Sequence, residues 1–560
     1  RDTPSVTSMV SAAPPDASSG TFQRRVCASV RVTDPAAGQP GQIMQDITIA
    51  VSPQRMGLGD DAGPDAALAF LTQRVAEGLR ARVTGQLRTD SRQVQPGDGF
   101  IAWPGGVTDG RQHVASAIAR GAVACLVEHD GVEAFSLPGA VASYRGLKAA
   151  TAELAAQWCQ HPSQQLRVVA VTGTNGKTST AWWLAHALAG FQLQGRQGCA
   201  MVGTLGIGVP PQVVSTGMTT PDPVCLQYAF ADYVQQGLAA CAIEASSIGI
   251  EEHRLDGTHI HTAVFTNFTQ DHLDYHGSMA AYWQAKAKLF AWAGLQVAVL
   301  NVDDVHGQQL AQQLQGRAGL DLWTVAVNAP ARLRATDVRH GLQGLCFEVQ
   351  EDGQSVTMTT QMIGQYNVSN MLGVLAVLRS WGWTLPDSVA LCQGLAPVPG
   401  RMQQIAQADQ PLVVVDYAHT PDALEQALQG LQPVARARGG RLHCVFGCGG
   451  NRDSSKRPLM GQAAQRQADV VWVTSDNPRG EDPQAIVQQI TAGMRLDGVQ
   501  VVVDRTQAIE QAIAQAGTQD VVLLAGKGHE DYQEIQGVKH PFSDMDKARA
   551  ALLRREGMQQ

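Results

Sequence analysis

The chain has 560 residues, of which 44% are hydrophobic and 16% charged, and its formal net charge is −8. That length corresponds to about three or four domains. The acidic balance gives no electrostatic basis for binding nucleic acid or an acidic membrane surface. No apolar run approaches the roughly 20 residues of a membrane span. We therefore expect neither nucleic acid nor a membrane as partner, and the ten scattered cysteines indicate thiols in a reducing cytoplasm.

The first part of the chain divides into two unlike segments. Residues 1–61 are rich in Ser, Pro, Ala and Gly, with one β-like stretch at 25–33, and we expect a poorly ordered extension without an assigned function. Residues 62–165 show a helical pattern over 66–79 and an apolar strand pattern over 122–128. These patterns predict a compact α/β module.

The next feature is a glycine-rich loop within VAVTGTNGKTSTA, at residues 169–181. Gly173 and Gly176 allow backbone N–H groups to approach phosphate oxygens without interference from a Cβ atom. Lys177 supplies a positive charge for terminal phosphates, and Thr178 supplies a hydroxyl for Mg²⁺. The following helix directs its positive end at the same anions. The loop predicts a nucleotide site, and a plain turn before an ordinary helix is the alternative.

Alternating strands and helices continue to residue 399. Apolar runs at 239–243, 261–265 and 297–300 each end in polar residues, and 345–359 is typical of a hairpin around Asp352-Gly353. The alternation predicts a mostly parallel sheet that binds ligands at the carboxyl ends of its strands.

The alternation is clearer from residue 400 to residue 560. Strands are predicted at 412–415, 442–446, 470–473, 501–503 and 521–524, and Thr420-Pro421 and Asp482-Pro483 are typical helix starts. Polar clusters follow four of these strands, at 416–419, 447–452, 475–479 and 526–530. Four clusters at one edge of a sheet predict a ligand crevice.

Several polar residues of the central part are candidates for chemistry. Glu244, at a strand end beside the phosphate loop, suits Mg²⁺ as a hard oxygen ligand. His253, His272 and His276 raise the possibility of zinc, but no completing ligand set is evident, so substrate or Mg²⁺ contacts and surface imidazoles stay open. Lys286, within a helical pattern at 279–290, is on burial statistics alone a solvated lysine.

These strings together resemble a known family. VTGTNGKTST, Glu244-x-Ser-Ser, Asn267-x-x-x-Asp-His and Tyr282-x-x-Ala-Lys resemble the central domain of the Mur ligase family. Asp-Ser-Arg at 90–92 and Asp-Tyr-Ala-His-Thr-Pro at 416–421 resemble the branch that adds the third residue of the peptidoglycan stem. Asp-Asn-Pro-Arg at 476–479 is similar to the signature of members that add meso-diaminopimelate rather than lysine. The resemblance spans about residues 66 to 556.

The resemblance implies an α/β fold with the three-domain Mur ligase architecture. Residues 62–165 would form an N-terminal α/β UDP-binding module, 166–399 a central P-loop ATPase-like parallel sheet, and 400–560 a C-terminal Rossmann-like domain that binds the amino acid. The implied activity is an ATP-dependent amide ligase that adds meso-2,6-diaminopimelate to UDP-MurNAc-L-Ala-D-Glu through an acyl phosphate, in peptidoglycan precursor synthesis. We expect a monomer, with these two small molecules as its substrates.

The resemblance also implies roles for individual residues. The implied catalytic residues are Lys177, Glu244, His272 and Lys286. The implied ligands of two Mg²⁺ ions are Thr178, Glu244, His272 and Lys286, the last as a carbamate derived from CO₂. ATP is expected at Gly173, Thr174, Asn175, Gly176, Lys177, Thr178, Asn367, Arg401, Asp416 and His419. The other substrates are expected at Ser91, Thr219, Thr220, Ser247, Arg254, Arg452, Asp476, Asn477, Pro478, Arg479, Gly526 and Glu530.

Two positions depart from the family pattern, and several competing functions stay open. Ile248 stands where relatives often carry histidine, and Gln403 where glutamate is usual. Folylpolyglutamate synthetase shares the loop and the lysine but lacks the Asp476 tetrapeptide and the Asp-Ser-Arg module. The same ligase adding L-lysine, a P-loop phosphotransferase or nucleotide switch, and a relative that binds nucleotide without catalysis are three more functions compatible with parts of the pattern.

Overall fold

The computed structural model describes residues 30–32, 45–47, 64–106, 108–138, 141–341 and 344–559. The expected extension 1–61 and its β-like stretch lie outside the described residues, except for two strands that pair antiparallel, β1 (Val30–Val32) and β2 (Gln45–Ile47). Among the residues described, no helix has both the length and the apolar character needed to cross a membrane.

The N-terminal module is a four-stranded parallel sheet between helices. Its strands are β3 (Leu87–Arg88), β4 (Gly99–Ala102), β5 (Ala124–Glu128) and β6 (Val141–Tyr144), in that order. Helices α1 (Pro64–Arg80) and α3 (Leu147–Trp158) bury their apolar sides against one face, and α2 (Val114–Ala119) covers the other. The predicted helix at 66–79 and the predicted strand at 122–128 are therefore confirmed, the strand beginning two residues later.

The central sheet has eleven strands in the order β12-β11-β10-β13-β7-β14-β15-β16-β17-β18-β19. Their bounds are β7 (Arg167–Thr172), β10 (Cys199–Gly203), β11 (Gly206–Val209), β12 (Gln212–Val214), β13 (Ala240–Glu244), β14 (Thr262–Phe265), β15 (Val297–Asn301), β16 (Asp321–Ala326), β17 (Leu333–Gly341), β18 (Gly344–Glu351) and β19 (Gln354–Thr359). A separate small hairpin pairs β8 (Gln192–Leu193) with β9 (Arg196–Gln197). Neighbouring strands pair in parallel from β10 through β13, β7, β14, β15 and β16 to β17. The predicted hairpin at 345–359 is confirmed as β18 and β19.

Helices cover both faces of the central sheet. They are α4 (Lys177–Ala187), α5 (Pro223–Gln235), α6 (Ser247–Glu251), α7 (Leu273–His276), α8 (Met279–Ala287), α9 (Val305–Leu314), α10 (Tyr366–Ser380) and α11 (Leu385–Gln393). The apolar sides of α4, α10 and α11 fill one core, and α5 and α9 fill the other. The helix predicted at 279–290 ends as an α-helix at residue 287 and continues as a 3₁₀ turn, Lys288–Ala291.

The C-terminal sheet has six strands in the order β20-β21-β25-β22-β23-β24. They are β20 (Gln403–Ile405), β21 (Leu412–Asp416), β22 (Leu442–Phe446), β23 (Val470–Val473), β24 (Val499–Val501) and β25 (Val521–Ala525), followed by a hairpin of β26 (Tyr532–Ile535) and β27 (Val538–Pro541). Helices α12 (Pro421–Arg438), α13 (Lys456–Gln467) and α14 (Pro483–Thr491) cover one face, and α15 (Arg505–Gln515) and α16 (Asp544–Gln559) cover the other.

Most C-terminal predictions are confirmed, with one displaced strand. Thr420 and Asp482 cap their helices as predicted, each side chain accepting a backbone N–H of the first turn. The strand predicted at 501–503 is wrong by two residues, because it pairs over 499–501 and the chain then turns toward the cap of α15 at Asp504.

Candidate active site

The phosphate loop follows β7, which lies between β13 and β14 in the middle of the central sheet. Gly173 has φ +150° and Gly176 has φ +85°, values that L side chains rarely adopt. A Cβ atom at Gly173 would collide with the Thr266 hydroxyl, and one at Gly176 with the Asn370 amide. The backbone N–H groups of Thr174 and Asn175 are held by the backbone oxygen and the side-chain oxygen of Asn267, at 2.8 and 2.9 Å. The loop is thus braced, and only glycine fits at its two turning points.

Two lysine side chains meet at this loop. The Nζ atoms of Lys177 and Lys286 donate to the Gly173 carbonyl at 2.8 and 2.7 Å, and Lys177 also donates to the Thr174 carbonyl at 2.9 Å. Lys286 is 1% exposed, so the solvated position indicated by burial statistics is wrong. Burial, and then the charge of Lys177, hold the pKa of Lys286 well below its ordinary value, and burial also lowers the pKa of Lys177.

A hydroxyl and a carboxylate stand together where the loop begins its helix. Thr178 Oγ1 donates to Oε2 of the buried Glu244 at 2.9 Å. Thr204, which the sequence reasoning missed, donates its backbone N–H to Glu244 Oε1 at 2.8 Å and its hydroxyl to Oε2 at 3.2 Å. Mg²⁺ commonly takes only one or two protein oxygens beside phosphates and waters, and Thr178 with Glu244 fits that requirement.

The three candidate histidines lie in different surroundings. Within the part of the chain that the structure describes, no cluster of three or more His, Cys, Asp or Glu could hold a metal ion. Ring atom Nε2 of His272 lies 3.4 Å from Asp271 Oδ2, and burial lowers the His272 pKa. His276 bonds Ser247 Oγ at 3.0 Å, and the hydrogen bond to Asp256 raises the pKa of His253. The zinc alternative therefore has no geometric support among the described residues.

The expected nucleotide residues of the C-terminal part reach toward the loop. Arg401 donates Nη2 to Thr178 Oγ1 at 3.2 Å, and its guanidinium lies 4.5 Å from the Tyr417 ring centroid. Asp416 is buried, which raises its pKa, and it accepts the backbone N–H groups of Met402 and Ala418. Burial lowers the pKa of His419 to about 4. Arg401 thus contacts the start of the loop's helix directly, and it lies near enough to Asp416 and His419 for its charge to act on both.

Three asparagine side chains lie around the phosphate loop and the start of α10. Asn367, in the first turn of α10, is buried and donates to the Ile363 carbonyl at 2.8 Å. Its Oδ1 accepts from Asn370 at 3.3 Å, and Asn370 is the residue that approaches Gly176. Asn175 Nδ2 donates to Asp422 Oδ2 of α12 at 3.2 Å. Asp422, which the sequence reasoning did not single out, therefore joins the C-terminal part directly to the phosphate loop.

The expected residues for the sugar and peptide form a network beside Glu244. Thr219 Oγ1 lies 3.0 Å from Thr204 Oγ1, and Thr220 donates to the Glu244 carbonyl at 2.7 Å. Arg254 donates to the Thr220 carbonyl at 2.9 Å. Ser91 lies apart from this network, in the 3₁₀ turn after β3 in the N-terminal module.

The crevice of the C-terminal sheet is built from the ends of β22, β23 and β25. Asp476 and Asn477 are buried. Gly526 has φ +117°, and a Cβ atom there would also collide with the Asp476 carboxylate, so only glycine fits at this position. Arg479 has φ +50°, and its side chain contacts Gly450 O at 3.0 Å and Glu534 Oε2 at 3.4 Å.

Other crevice residues differ in exposure and in how they were found. Pro478 packs its carbonyl close to Gly450, and Arg452 is exposed. Glu530 is half-buried and accepts from Asn477 Nδ2 at 2.8 Å. Lys527, which the sequence reasoning passed over, is fully buried between Asn477 and Glu530. Lys527 stands between two glycines directly after a buried strand, and this position was the sequence signal that could have marked it as a crevice residue.

Three family models match this chain in order. The Mur ligase family, catalytic domain, matches residues 85–158; the Mur ligase middle domain matches 171–378; and the Mur ligase, glutamate ligase domain, matches 400–528. The chain belongs to the Mur ligase family. The resemblance stated from the motifs is thereby confirmed.

This Mur ligase is similar throughout most of its length to curated relatives. It is 62% identical over 499 residues to the UDP-N-acetylmuramoyl-L-alanyl-D-glutamate--2,6-diaminopimelate ligase of Acidovorax sp. (strain JS42), covering 88% of this chain and 99% of that protein. The protein of the same name from Janthinobacterium sp. (strain Marseille) is 47% identical over 485 residues, with 84% and 94% covered.

Solved structures share the fold of this Mur ligase. A structure of a UDP-N-acetylmuramoyl-L-alanyl-D-glutamate--2,6-diaminopimelate ligase has a TM-score of 0.58 at 37% identity, covering 84% of this chain and 95% of that one. MurF ligase from Thermotoga maritima, solved in complex with ADP, has a TM-score of 0.58 at 17% identity, with 85% and 99% covered. The predicted three-domain α/β Mur ligase architecture is confirmed.

Proposed function

We propose that this Mur ligase joins meso-2,6-diaminopimelate to UDP-MurNAc-L-Ala-D-Glu with ATP, through an acyl phosphate, in peptidoglycan precursor synthesis. One observation carries the proposal. The C-terminal part contacts the phosphate loop through two hydrogen bonds. Arg401 donates to the Thr178 hydroxyl, and Asn175 donates to the Asp422 carboxylate. A nucleotide loop in direct contact with the C-terminal part suits the transfer of an activated acyl group to an amine. The 62% identical relative carries the name of this activity.

The donor half of the reaction follows from the loop. A carboxylate is a poor acylating agent because oxide is a poor leaving group, and a phosphorylated carboxylate releases phosphate instead. Lys177 and Arg401 place positive charge beside the transferring phosphoryl group, which lowers the barrier mainly by positioning and electrostatics. Thr178 and Glu244 would hold Mg²⁺, which when bound supplies further positive charge to the phosphate oxygens.

We propose that Lys286 carries a carbamate derived from CO₂. The supporting observation is its buried Nζ, whose lowered pKa favours the neutral amine that can attack CO₂. As the N–C bond forms, one C=O π bond of CO₂ opens onto its oxygen and the amine loses a proton to water, so the neutral amine becomes an anion suited to Mg²⁺. His272, whose ring centroid lies 5.9 Å from that of Tyr282, the ring that Lys286 Nζ approaches to 4.4 Å, would complete the second metal site.

The acceptor half is proposed for the crevice. The planar fork of Arg479 suits a carboxylate of diaminopimelate, and exposed Arg452 suits another. Glu530 suits the distal ammonium. The same enzyme with L-lysine as acceptor would leave Arg479 without a ligand carboxylate, which favours diaminopimelate.

The setting proposed for the enzyme is a monomer in the cytoplasm. The nine cysteines of the described residues are free thiols, which accords with a reducing compartment.

One assay tests the proposed function. The protein is incubated with ATP, Mg²⁺ and UDP-MurNAc-L-Ala-D-Glu, with meso-diaminopimelate, with L-lysine, or with neither amino acid, and phosphate release and product mass are followed. We expect phosphate release and a tripeptide product only with meso-diaminopimelate. Phosphate release that is independent of both amino acids would reject the ligase, and equal use of L-lysine would reject the acceptor.

A further inference from the structure

Lys527 is a buried cation that the proposed chemistry does not use. Its side chain is 0% exposed and follows β25 into the acceptor crevice. Nζ donates to Asn477 Oδ1 and to Glu530 Oε2, both at 3.0 Å, and lies 4.0 Å from Asp476 Oδ1. The rings of Tyr532 and Phe542 lie 5.6 and 5.9 Å from the same atom. Because the ammonium is not exposed, a ligand in the crevice contacts the residues that are hydrogen-bonded to Lys527 and not Lys527 itself.

The first of these residues is Asn477, whose amide is fixed in one orientation. Its Oδ1 accepts from Lys527 and also from the Glu534 backbone N–H at 2.9 Å, so both oxygen lone pairs are used. Its Nδ2 donates one hydrogen to Glu530 Oε2 at 2.8 Å. Asn477 consequently has one N–H left for a ligand and no acceptor, and an N–H recognises a carboxylate rather than an ammonium.

The second residue is Glu530, whose charge is already paired. Its Oε2 accepts from both Asn477 and Lys527, which leaves Oε1 as the oxygen that can accept from a ligand. A neutralised carboxylate attracts only weakly a lone cation such as the distal ammonium of L-lysine. An amino acid whose distal end has both an ammonium and a carboxylate can place the ammonium at Glu530 and the carboxylate at the remaining Asn477 N–H.

We propose that Lys527 is a positioning residue that makes the acceptor crevice select an amino acid with a zwitterionic distal end over one with a distal ammonium alone. The inference rests on the proposed function, and it names a buried side chain that makes the crevice discriminate against L-lysine. Without the ammonium, the Asn477 amide is free to turn its oxygen toward the ligand, and Glu530 becomes an unpaired anion. Both changes favour a bare cation and oppose a second carboxylate.

The test is a comparison of Lys527→Met with Lys539→Met. Lys539 lies on β27, is exposed, and places its Nζ 4.0 Å from the Tyr532 ring, so its variant removes the same charge from the same neighbourhood. Steady-state KM and kcat are measured with meso-diaminopimelate and with L-lysine at saturating ATP and nucleotide substrate. We expect Lys527→Met to lower the kcat/KM ratio of meso-diaminopimelate to L-lysine by about 30-fold or more, mainly through KM. We expect Lys539→Met to leave that ratio unchanged.

A double variant separates charge from packing. In Lys527→Met with Glu530→Gln, both charges are absent. We therefore expect the shift of the kcat/KM ratio toward L-lysine to disappear, while meso-diaminopimelate still binds weakly. Equal losses for both amino acids in Lys527→Met, with no change in their ratio, would overturn the proposal and leave the proposed function intact. A wild-type enzyme that does not ligate meso-diaminopimelate would instead overturn the proposed function.

Asn477→Asp provides a test that keeps Lys527 in place, should Lys527→Met not yield folded protein. A carboxylate at this position has no N–H to offer the ligand and adds acceptor oxygens. The kcat/KM ratio must then shift toward L-lysine, and an unshifted ratio would contradict the proposal.

Discussion

Asp544 is the residue whose removal we expect to destabilise the C-terminal sheet most clearly. It begins α16, and its carboxylate receives two hydrogen bonds from Arg505, at 2.8 and 2.6 Å. Both side chains are 0% exposed. Arg505 also donates to the carbonyls of Ser475 and Ala525, at 3.3 and 3.0 Å, where β23 and β25 enter the acceptor crevice. The pair thus lies directly behind the crevice.

The magnitude follows from what Asp544→Ala leaves behind. The Arg505 guanidinium then keeps only its hydrogen bonds to the two carbonyls, and its positive charge is left in the interior without a counter-ion. Removing one partner of a buried ion pair costs about 3–5 kcal/mol. A change of 1 kcal/mol shifts Tm by about 2–4 °C in a domain of 150–250 residues. We therefore expect the transition of the C-terminal part to fall by about 6–20 °C.

Differential scanning calorimetry measures this prediction with two reference variants. Asp546→Ala removes a carboxylate of the same helical turn that is 75% exposed and 3.9 Å from Arg549, and we expect a shift under about 2 °C. Replacing both charges, as Arg505→Met with Asp544→Leu, is expected to recover most of the loss because no unpaired charge is left. A Tm shift for Asp544→Ala no larger than that for Asp546→Ala would refute the role given to the buried ion pair.

Three further predictions concern the loop, the pH response and the acceptor. Gly176→Ala is expected to weaken ATP binding about tenfold or more, measured by nucleotide titration, because the strained φ and the collision with Asn370 cost about 1–3 kcal/mol. Burial holds the pKa of His419 and of His529 at about 4, against an ordinary 6.5. Between these pH values the unfolded chain binds more protons than the folded chain. Stability measured by thermal unfolding is therefore expected to fall as pH decreases from about 6.5 toward 4. Arg479→Lys is expected to raise KM for meso-diaminopimelate about tenfold, since one charged hydrogen bond of about 1.5–3 kcal/mol is lost.

Each of these has a control. Gly190→Ala meets no neighbouring atom within 4 Å, so nucleotide affinity should not change, and an equal loss in both glycine variants would contradict the steric argument. His419→Gln should flatten the slope of stability between pH 4 and pH 6.5. An Arg479→Lys enzyme with unchanged selectivity between diaminopimelate and L-lysine would count against the acceptor assignment.

The sequence predicted the elements of this protein well because their signals are local. The apolar runs at 442–446 and 470–473 are strands with those bounds, and the Gly173 loop stands between a strand and a helix as its pattern requires. The strand predicted at 501–503 failed because three valines in a row mark apolar character and not the residues that pair at a sheet edge. The domain boundaries at 61, 165 and 399 and the roles of the site residues stay predictions.

By itself, the sequence determined the family, the alternation of strands and helices, and the edge of each sheet that carries polar clusters. Tertiary structure alone decided which charges are buried and what they touch. Lys286 contacts the Gly173 carbonyl 113 positions away, and Lys527 contacts Asn477 50 positions away. A lysine in a helical pattern or a glycine-rich loop is ordinarily solvated. Only the packing of elements distant in the chain removes the water from these two amines and selects their partners.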